Sequence, residues 1–159
     1  MAAGATTHIE TEYLMTIYGP LEPPLQIDAG LVIFNVGPGG WVRGPRINGV
    51  AIPPSADWLH ILPSGVRRQD VRLTVKTDDN ALIYVTYNGV LVHNEETAER
   101  ARRGELLTSR ELFSSTAPTF RTSNEKYAWL NSVQAISRLI ELKPGQQGSY
   151  IKFDVFAVK

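Results

Sequence analysis

The stretch VRLTVKTDDNALIYVTYNGVLV, from Val71 to Val92, has the pattern of a β-hairpin. Apolar and polar residues alternate with the two-residue period of a strand on both sides of the turn-forming residues 78–80. The register that gives one apolar face pairs Val75 with Ile83, Leu73 with Val85 and Val71 with Tyr87. On the mixed face the expected partners are Arg72 with Thr86, Thr74 with Tyr84 and Lys76 with Leu82. A shift by one residue would mix the two faces, so burial of the apolar face should select this register.

Three other segments are predicted as strands. HIETEYLMTIY (8–18) places Ile9, Thr11, Tyr13, Met15 and Ile17 on one face. LVIFNV (31–36) is a β-branched apolar run that resumes after the proline-rich GPLEPPLQ (19–26). SYIKFDVFAVK (149–159) alternates again, with Ile151, Phe153, Val155 and Ala157 on one face. Many short strands between Gly and Pro turns predict an all-β fold, either a sandwich or a barrel.

Two segments depart from simple alternation. NEETAERARRGELL (94–107) has acids early and arginines late, which predicts one short polar helix. Its cluster of Arg100, Arg102 and Arg103 is interpreted as solvated surface rather than as an anion site. YAWLNSVQAISRLIEL (127–142) fits a helical stripe and a strand equally well, so periodicity leaves its structure open.

Length and composition limit the classes of function. The 159 residues suit one domain, residues 1–159, and equal numbers of acidic and basic residues, 16 of each, give no net field for nucleic acid or a membrane surface. No cysteine is present, which excludes disulfides and thiolate chemistry. The N-terminal MAAGATTHIETEYL lacks the pattern of a signal peptide, and no segment is long and apolar enough to span a bilayer, so we expect a cytoplasmic protein.

Three blocks in this order resemble a known family. GGWVRGPRINGVAIPPSADW (39–58), LTVKTDDNALIYVTYNG (73–89) and APTFRTSNEKYAWLN (117–131) resemble the domain of unknown function 3237 family, from about Leu31 to the C-terminus. The resemblance implies a closed antiparallel β-barrel and favours a strand over residues 127–142. We expect the block at 39–58 to build one wall of an interior pocket.

The chain departs from the usual family pattern at several positions. Asn80 stands where Gly is common, and Pro54 and Ser55 stand where a Gly pair is common. Ser115 stands where the family often has Arg, which weakens any transfer of anion binding from the family to this chain.

The block at 39–58 contains the first candidate site residues. Arg46 follows a glycine-rich turn and Pro45, so its guanidinium can clamp an anion, or it can form a structural ion pair with Asp57 or another acid. Asp57 beside Trp58 resembles a general base in a partly apolar pocket, although a loop-capping Asp next to a core Trp explains the same pair. His60 is a candidate proton carrier, or a structural histidine.

A second set of candidates is polar or aromatic and could line a cavity. Its members are Tyr84 and Thr86 from the mixed hairpin face, Thr122, and Tyr127, Trp129 and Asn131 from the late segment. Aromatic walls with a few hydrogen-bonding groups are typical of a small-molecule site. A core aromatic cluster with satisfied hydroxyls is the alternative.

Several classes of chemistry have no motif here. The histidines, His8, His60 and His93, lack metal-ligand spacing, so no metal site is predicted. GPGG (37–40) lacks the Lys and Ser/Thr of a phosphate loop, and neither a Rossmann pattern nor a nucleophile elbow occurs. Acid–base chemistry without a cofactor, or binding without chemistry, remains.

The leading hypothesis is a cofactor-independent lyase, isomerase or cyclase that acts on a small aromatic or enolisable compound inside the barrel. Asp57 would be the base, Tyr127 or His60 the acid, and Arg46 would stabilise the developing anion, with Trp58 and Trp129 packing the substrate. The alternative is a non-catalytic carrier of a small molecule. An Asp57 paired with Arg46 would favour the carrier, whereas an Asp57 with a raised pKa that opens on a cavity would favour catalysis. Exposed strand edges can also make a homo-oligomer with either function.

Overall fold

The computed structural model describes residue 4 and residues 7–159. In that part the strands are β1 Thr11–Pro20, β2 Leu25–Asp28, β3 Leu31–Asn35, β4 Trp41–Arg43, β5 Asn48–Ile61, β6 Arg67–Thr77, β7 Leu82–Val92, β8 Leu107–Thr108, β9 Phe113–Thr116, β10 Thr119–Arg121, β11 Ala135–Lys143 and β12 Tyr150–Val158. The helices are α1, Glu95–Arg102, and a 3-10 helix, Glu125–Ser132. Residues 1–3, 5 and 6 lie outside the described residues. They belong to the N-terminal segment MAAGATTHIETEYL, in which no signal-peptide pattern was found.

Eight strands form a closed antiparallel barrel. Their order is β5, β6, β7, β9, β11, β12, β1 and β4, and β4 pairs with β5 to complete the circle. The short strands β2 and β3 extend the sheet beside the second half of β5, while β8 and β10 pair with β11 and β7. The predicted all-β closed barrel is confirmed, with two short helices where one at most was expected, and the sandwich alternative is wrong.

The β6–β7 hairpin has the predicted register at every expected pair, from Val71 opposite Tyr87 to Lys76 opposite Leu82. In its turn, Asn80 has a φ of 68°, in the left-handed region. Glycine adopts this region without steric cost and Asn tolerates it. This requirement explains how Asn80 can stand where Gly is common.

The terminal strands β1 and β12 pair along their whole length, from Thr11 with Val158 to Pro20 with Tyr150. The predicted inward row of β12 is confirmed, because Phe153, Val155 and Ala157 are buried. The register of β1 shifts between Tyr13 and Met15, so Leu14 and Met15 are both buried and the predicted alternation is broken there.

Strand β5 changes partner half-way along its length. Its first half pairs with β4, with Trp41 opposite Val50, and its second half pairs with β3, with Phe34 opposite Asp57. The register with β6 shifts between Ile52 and Ala56, where the two prolines have no N–H to donate. A side chain of β5 takes part in the pairing with β6 here, because the Ser55 Oγ accepts a hydrogen bond from the Thr74 N–H at 2.9 Å. The block at 39–58 therefore closes the barrel with its first part and carries Asp57 with its second.

The strand implied by the resemblance over residues 127–142 is wrong for the first half of that segment. Residues 125–132 form the 3-10 helix, and β11 begins only at Ala135. The Asn124 side chain caps the helix by accepting from the Lys126 N–H. Tyr127 and Leu130 are buried in the core, and their spacing of three matches the period of a 3-10 helix.

Helix α1 confirms the predicted short polar helix. Asn94 forms a capping box with Thr97, and the first turn is acidic. Arg102 and Arg103 are exposed and ion-paired with Glu99, as expected for a solvated surface, whereas Arg100 is half-buried and ion-paired with Glu105 and Glu111. Neither described helix is long and apolar enough to cross a membrane.

Candidate functional site

The barrel interior is packed at one end and hollow at the other. Apolar side chains fill the end at the β6–β7 turn, including Val75, Ile83 and Val155. At the other end, where β6 begins and β7 ends, there is a cavity of about 490 Å³, which we call the open-end cavity. Its apolar walls include Phe34, Leu59, Val71, Leu91, Ile151 and Phe153, and its polar lining includes Asp57, Arg67, Gln69, Tyr87 and His93. Helix α1 and the β11–β12 turn border it.

Asp57 is the predicted site residue that lies in this cavity. It faces inward because it pairs with the inward-facing Val71 of β6. The Asp70 backbone N–H donates to Asp57 Oδ1 at 3.0 Å, and no described residue donates to Oδ2. Burial raises the pKa of Asp57 from 3.8 to about 6, although the Asp70 N–H opposes the shift. The carboxylate is therefore a stronger base than a solvated one, and one of its oxygens is free.

The raised pKa of Asp57 predicts how its burial affects stability. Because the folded-state pKa exceeds the unfolded value, the native state is favoured below pH 4, and that advantage is lost as pH rises through about 6. An Asp57→Asn variant has no charge to bury, so its stability relative to the native protein should rise by about 2 kcal/mol from pH 4 to pH 7. Urea unfolding of both proteins at several pH values measures this difference. A difference that stays constant with pH would contradict a buried, titrating Asp57.

Tyr87 lies on the same wall of the cavity, opposite Val71 in the β6–β7 register. Burial raises the pKa of its hydroxyl, and the Asp57 carboxylate raises it further. The hydroxyl makes no hydrogen bond with the described residues. Tyr87 is therefore a neutral phenol at physiological pH, able to donate a hydrogen bond to a ligand oxygen.

Gln69 is buried between Arg67 and Val71 on the inward row of β6. Its Oε1 accepts from the Ser114 hydroxyl at 3.0 Å. This contact orients the amide and leaves its NH2 group without a partner among the described residues. Gln69 can therefore supply a second neutral donor to the cavity.

Arg67 and His93 lie towards the opening of the cavity. Burial and the Arg67 charge lower the pKa of His93 to about 4, so this imidazole is neutral at pH 7. Burial and the nearby Arg102 lower the pKa of Arg67, which still keeps its charge. Arg67 Nε and His93 Nε2 are buried without a hydrogen-bond partner. In the described part of the chain, no group of three His, Asp or Glu side chains is arranged to hold a metal.

The expected convergence of Arg46, Tyr127 and Trp129 with Asp57 is wrong. These three line a surface cleft beside the β6–β7 turn, at the opposite end of β6 from the open-end cavity. The Arg46 guanidinium lies 3.6 Å from the centre of the Trp129 ring. The Tyr127 hydroxyl donates to Asp79 at 2.7 Å. The structural ion pair of Arg46 with Asp57, which was the alternative, is absent as well.

Trp58 and His60 do not line the cavity either. They flank the inward-facing Leu59, so strand alternation turns both outward. Trp58 lies under the Arg72 guanidinium, 5.2 Å from its ring centre, and His60 is exposed. The position of Trp58 therefore agrees with a packing role on the outer wall.

Four members of the second set, Tyr84, Thr86, Thr122 and Asn131, lie outside the barrel interior and together line a surface cleft of about 460 Å³. Tyr84 is 42% exposed, and Thr86 Oγ1 is 3.1 Å from Thr119 Oγ1. Thr122 and Asn131 bond to each other, since the Thr122 N–H donates to Asn131 Oδ1 and Asn131 Nδ2 donates to the backbone carbonyl oxygen of Thr122. The mixed face of the hairpin is thus its outer face, because the apolar face fills the interior.

The sequence prediction missed Arg67, Gln69, Tyr87 and His93. All four continue inward rows of the hairpin: 67 and 69 share the face of Val71, and 87 and 93 share that of Ile83. The sequence signal was that polar residues replace apolar ones on the inward face of each strand, at the end of the hairpin far from its turn.

The comparison with known proteins agrees with this architecture. The model of the family described as protein of unknown function, DUF3237, matches residues 9–158. The chain belongs to the DUF3237 family. A UPF0311 protein from Rhodopseudomonas palustris is 30% identical over 128 residues, which cover 79% of this chain and 84% of that protein.

Solved structures similar to this DUF3237 chain have the same fold. A conserved protein of unknown function from Rhodopseudomonas palustris matches with a TM-score of 0.85 and 25% identity, over 98% of this chain and all (100%) of that one. A structure described as an enzyme from Penicillium herquei matches with a TM-score of 0.61 and 23% identity, over 99% of this chain and 100% of that one. At that identity the second likeness shows the fold alone.

Proposed function

We propose that this protein is a cofactor-independent enzyme of lyase, isomerase or cyclase type that abstracts a proton from a small aromatic or enolisable compound in the open-end cavity. One observation carries the proposal: the Asp57 carboxylate, with its pKa raised to about 6, opens on an apolar cavity beside the neutral hydroxyl of Tyr87. A base poised near neutral pH beside a neutral donor is the arrangement that enolisation needs.

The proposed reaction assigns each group one task. Asp57 Oδ2 takes a proton from the carbon next to a carbonyl group, and the electron pair of the C–H bond moves to the carbonyl oxygen. Tyr87 donates a hydrogen bond to that developing enolate, and the Gln69 amide supplies a second donor. Return of the proton to another carbon gives isomerisation, whereas expulsion of a β-substituent gives elimination. Tyr87 takes the role first assigned to Tyr127 or His60, whose hydroxyl and imidazole lie outside this cavity.

Catalysis is favoured over the carrier hypothesis by the state of Asp57. A carrier would hold this carboxylate in a permanent ion pair, but no arginine or lysine forms a salt bridge with Asp57 among the described residues. Keeping an unpaired carboxylate buried costs stability, which a purely apolar carrier site would avoid. The enzyme from Penicillium herquei agrees with a catalytic use of the fold.

Hydrogen–deuterium exchange at carbon tests the proposal without the physiological substrate. A panel of enolisable aromatic ketones, with 2-tetralone as the first member, is incubated with the protein in D2O, and NMR follows the loss of the α-proton signal. We expect catalysed exchange that falls about tenfold per pH unit below about 6 and is level above it, because only ionised Asp57 accepts the proton. Absence of catalysed exchange across the panel would contradict the proposal, as would a rate independent of pH between 5 and 7.

A further inference from the structure

Arg67 has an unusual electrostatic position. It is half-buried at the open end, and none of its five N–H groups donates to a described residue. No carboxylate of the described residues forms a salt bridge with it. A buried N–H without an acceptor costs stability, and an anionic ligand that reached the Arg67 Nε and an adjacent amino group would supply that acceptor.

The neighbours of Arg67 increase its need for an anion. His93 is neutral and cannot act as a counter-ion, and Arg102 adds repulsion. Arg102 itself is paired with Glu99, and Arg103 is paired with Glu99 and Glu105. The unsatisfied positive charge at the open end therefore belongs to Arg67.

The distance between Arg67 and Asp57 limits the ligand. Asp57 pairs with Val71, four residues beyond Arg67 on the same inward row of β6. Four residues of a strand span roughly 13 Å, which sets the scale of the separation between the two side chains. Leu59 lies on β5 between the positions opposite Val71 and Arg67. Leu91 lies opposite Arg67, so the cavity wall along this distance includes apolar side chains. One or two rings carrying an acidic group match this arrangement.

We infer that the substrate carries a carboxylate, which the Arg67 guanidinium binds at the open end while the reacting carbon lies beside Asp57. The position of the reacting carbon beside Asp57 rests on the proposed function, whereas the contact of the carboxylate with Arg67 does not. The planar guanidinium matches a carboxylate through two parallel hydrogen bonds, and such charge-assisted bonds are strong where water is excluded. Binding at Arg67 therefore orients the ring body along the cavity.

Binding of two matched probes tests the inference without any turnover. 2-Naphthoate and 2-naphthamide have nearly the same shape and differ in charge, and calorimetry at pH 7.5 measures their dissociation constants. We expect the native protein to bind naphthoate at least about tenfold more tightly than naphthamide. Equal binding of the two probes, or no measurable binding of naphthoate, would overturn the inference.

Variants locate the source of the preference. Arg67→Met keeps an apolar stem and should reduce the preference to less than about twofold, whereas Arg67→Lys should keep part of it. The matched control is Arg68→Met, since Arg68 is the next residue on β6 and is exposed on the outer face, so its loss should leave the preference unchanged. A preference that survives in Arg67→Met would overturn the inference, and thermal melts verify that each variant is folded.

The Asp57→Asn variant separates this inference from the proposed reaction. It should bind naphthoate with the full preference, because Asp57 does not contact the carboxylate. If the preference is present and α-proton exchange is absent in the native protein, the carboxylate site stands and the proposed reaction fails. If exchange occurs but the preference is absent, the reaction stands and the carboxylate site fails.

Discussion

The Asp57→Asn variant is expected to lose at least about 100-fold of the α-proton exchange rate, because the amide cannot accept the proton. Asn has nearly the same shape as Asp and its oxygen can still accept from the Asp70 N–H. The cavity should therefore keep its form while the base is removed. The NMR exchange assay in D2O at pH 7.5, where native Asp57 is ionised, measures the loss.

Asp70→Asn is the matched control for this loss. Asp70 lies beside Asp57 on the neighbouring strand, but its carboxylate pairs with the exposed Arg72 at 3.4 Å and does not line the cavity. Its charge raises the pKa of Asp57, so its removal should shift the pH profile slightly downward and leave the plateau rate within about twofold. An Asp57→Asn variant that exchanges protons as fast as Asp70→Asn would remove Asp57 from the mechanism.

Gly44→Ala is expected to destabilise the protein by about 3 kcal/mol, because it inserts a methyl group where two backbones touch. A Cβ at residue 44 would lie 2.2 Å from the Leu14 carbonyl oxygen and 3.0 Å from the Met15 Cα. These are backbone atoms of β1 at its register shift, so no side chain can rotate away. The strain falls where β1 and β4 pair to close the barrel. A thermal melt should show a decrease in Tm of roughly 10 °C.

Gly19→Ala is the control for the general effect of replacing a strand glycine. A Cβ at residue 19 would meet only side-chain methyl groups of Val36 and Ile151, at 3.8 and 3.9 Å. We expect its Tm to remain within about 2 °C of the native value. Similar melting temperatures for the two variants would show that the β1–β4 contact at Gly44 is looser than described.

The sequence determined the hairpin because all of its information is local. The alternation on β6 and β7 and the turn at residues 78–80 are contained in 22 consecutive residues, Val71 to Val92, and a slip by one residue would expose the apolar face. The resemblance of three sequence blocks to a known family added the prediction that the barrel is closed. It failed over residues 127–132, where the local capping by Asn124 and the burial of Tyr127 and Leu130 select a 3-10 helix.

Asp57 was the one site residue that the sequence and the structure both place beside an interior cavity. Its neighbours in sequence, Trp58 and His60, point outward because adjacent strand residues alternate between the two faces. Its neighbours in the cavity, Gln69 and Tyr87, come from β6, which pairs with β5, and from β7, which pairs with β6.

What the sequence determined by itself was the strand pattern and the hairpin register, since each depends on residues close along the chain, and it also marked Asp57 as a candidate base. Only the tertiary structure decided which groups surround Asp57. Strand pairing over long sequence separations places Arg67, Tyr87 and His93 around one cavity. Arg46 lies at the opposite end of β6, beside the β6–β7 turn. The physical reason is that alternation defines two faces of a strand, whereas closure of the barrel decides which face, and which end of it, encloses a cavity.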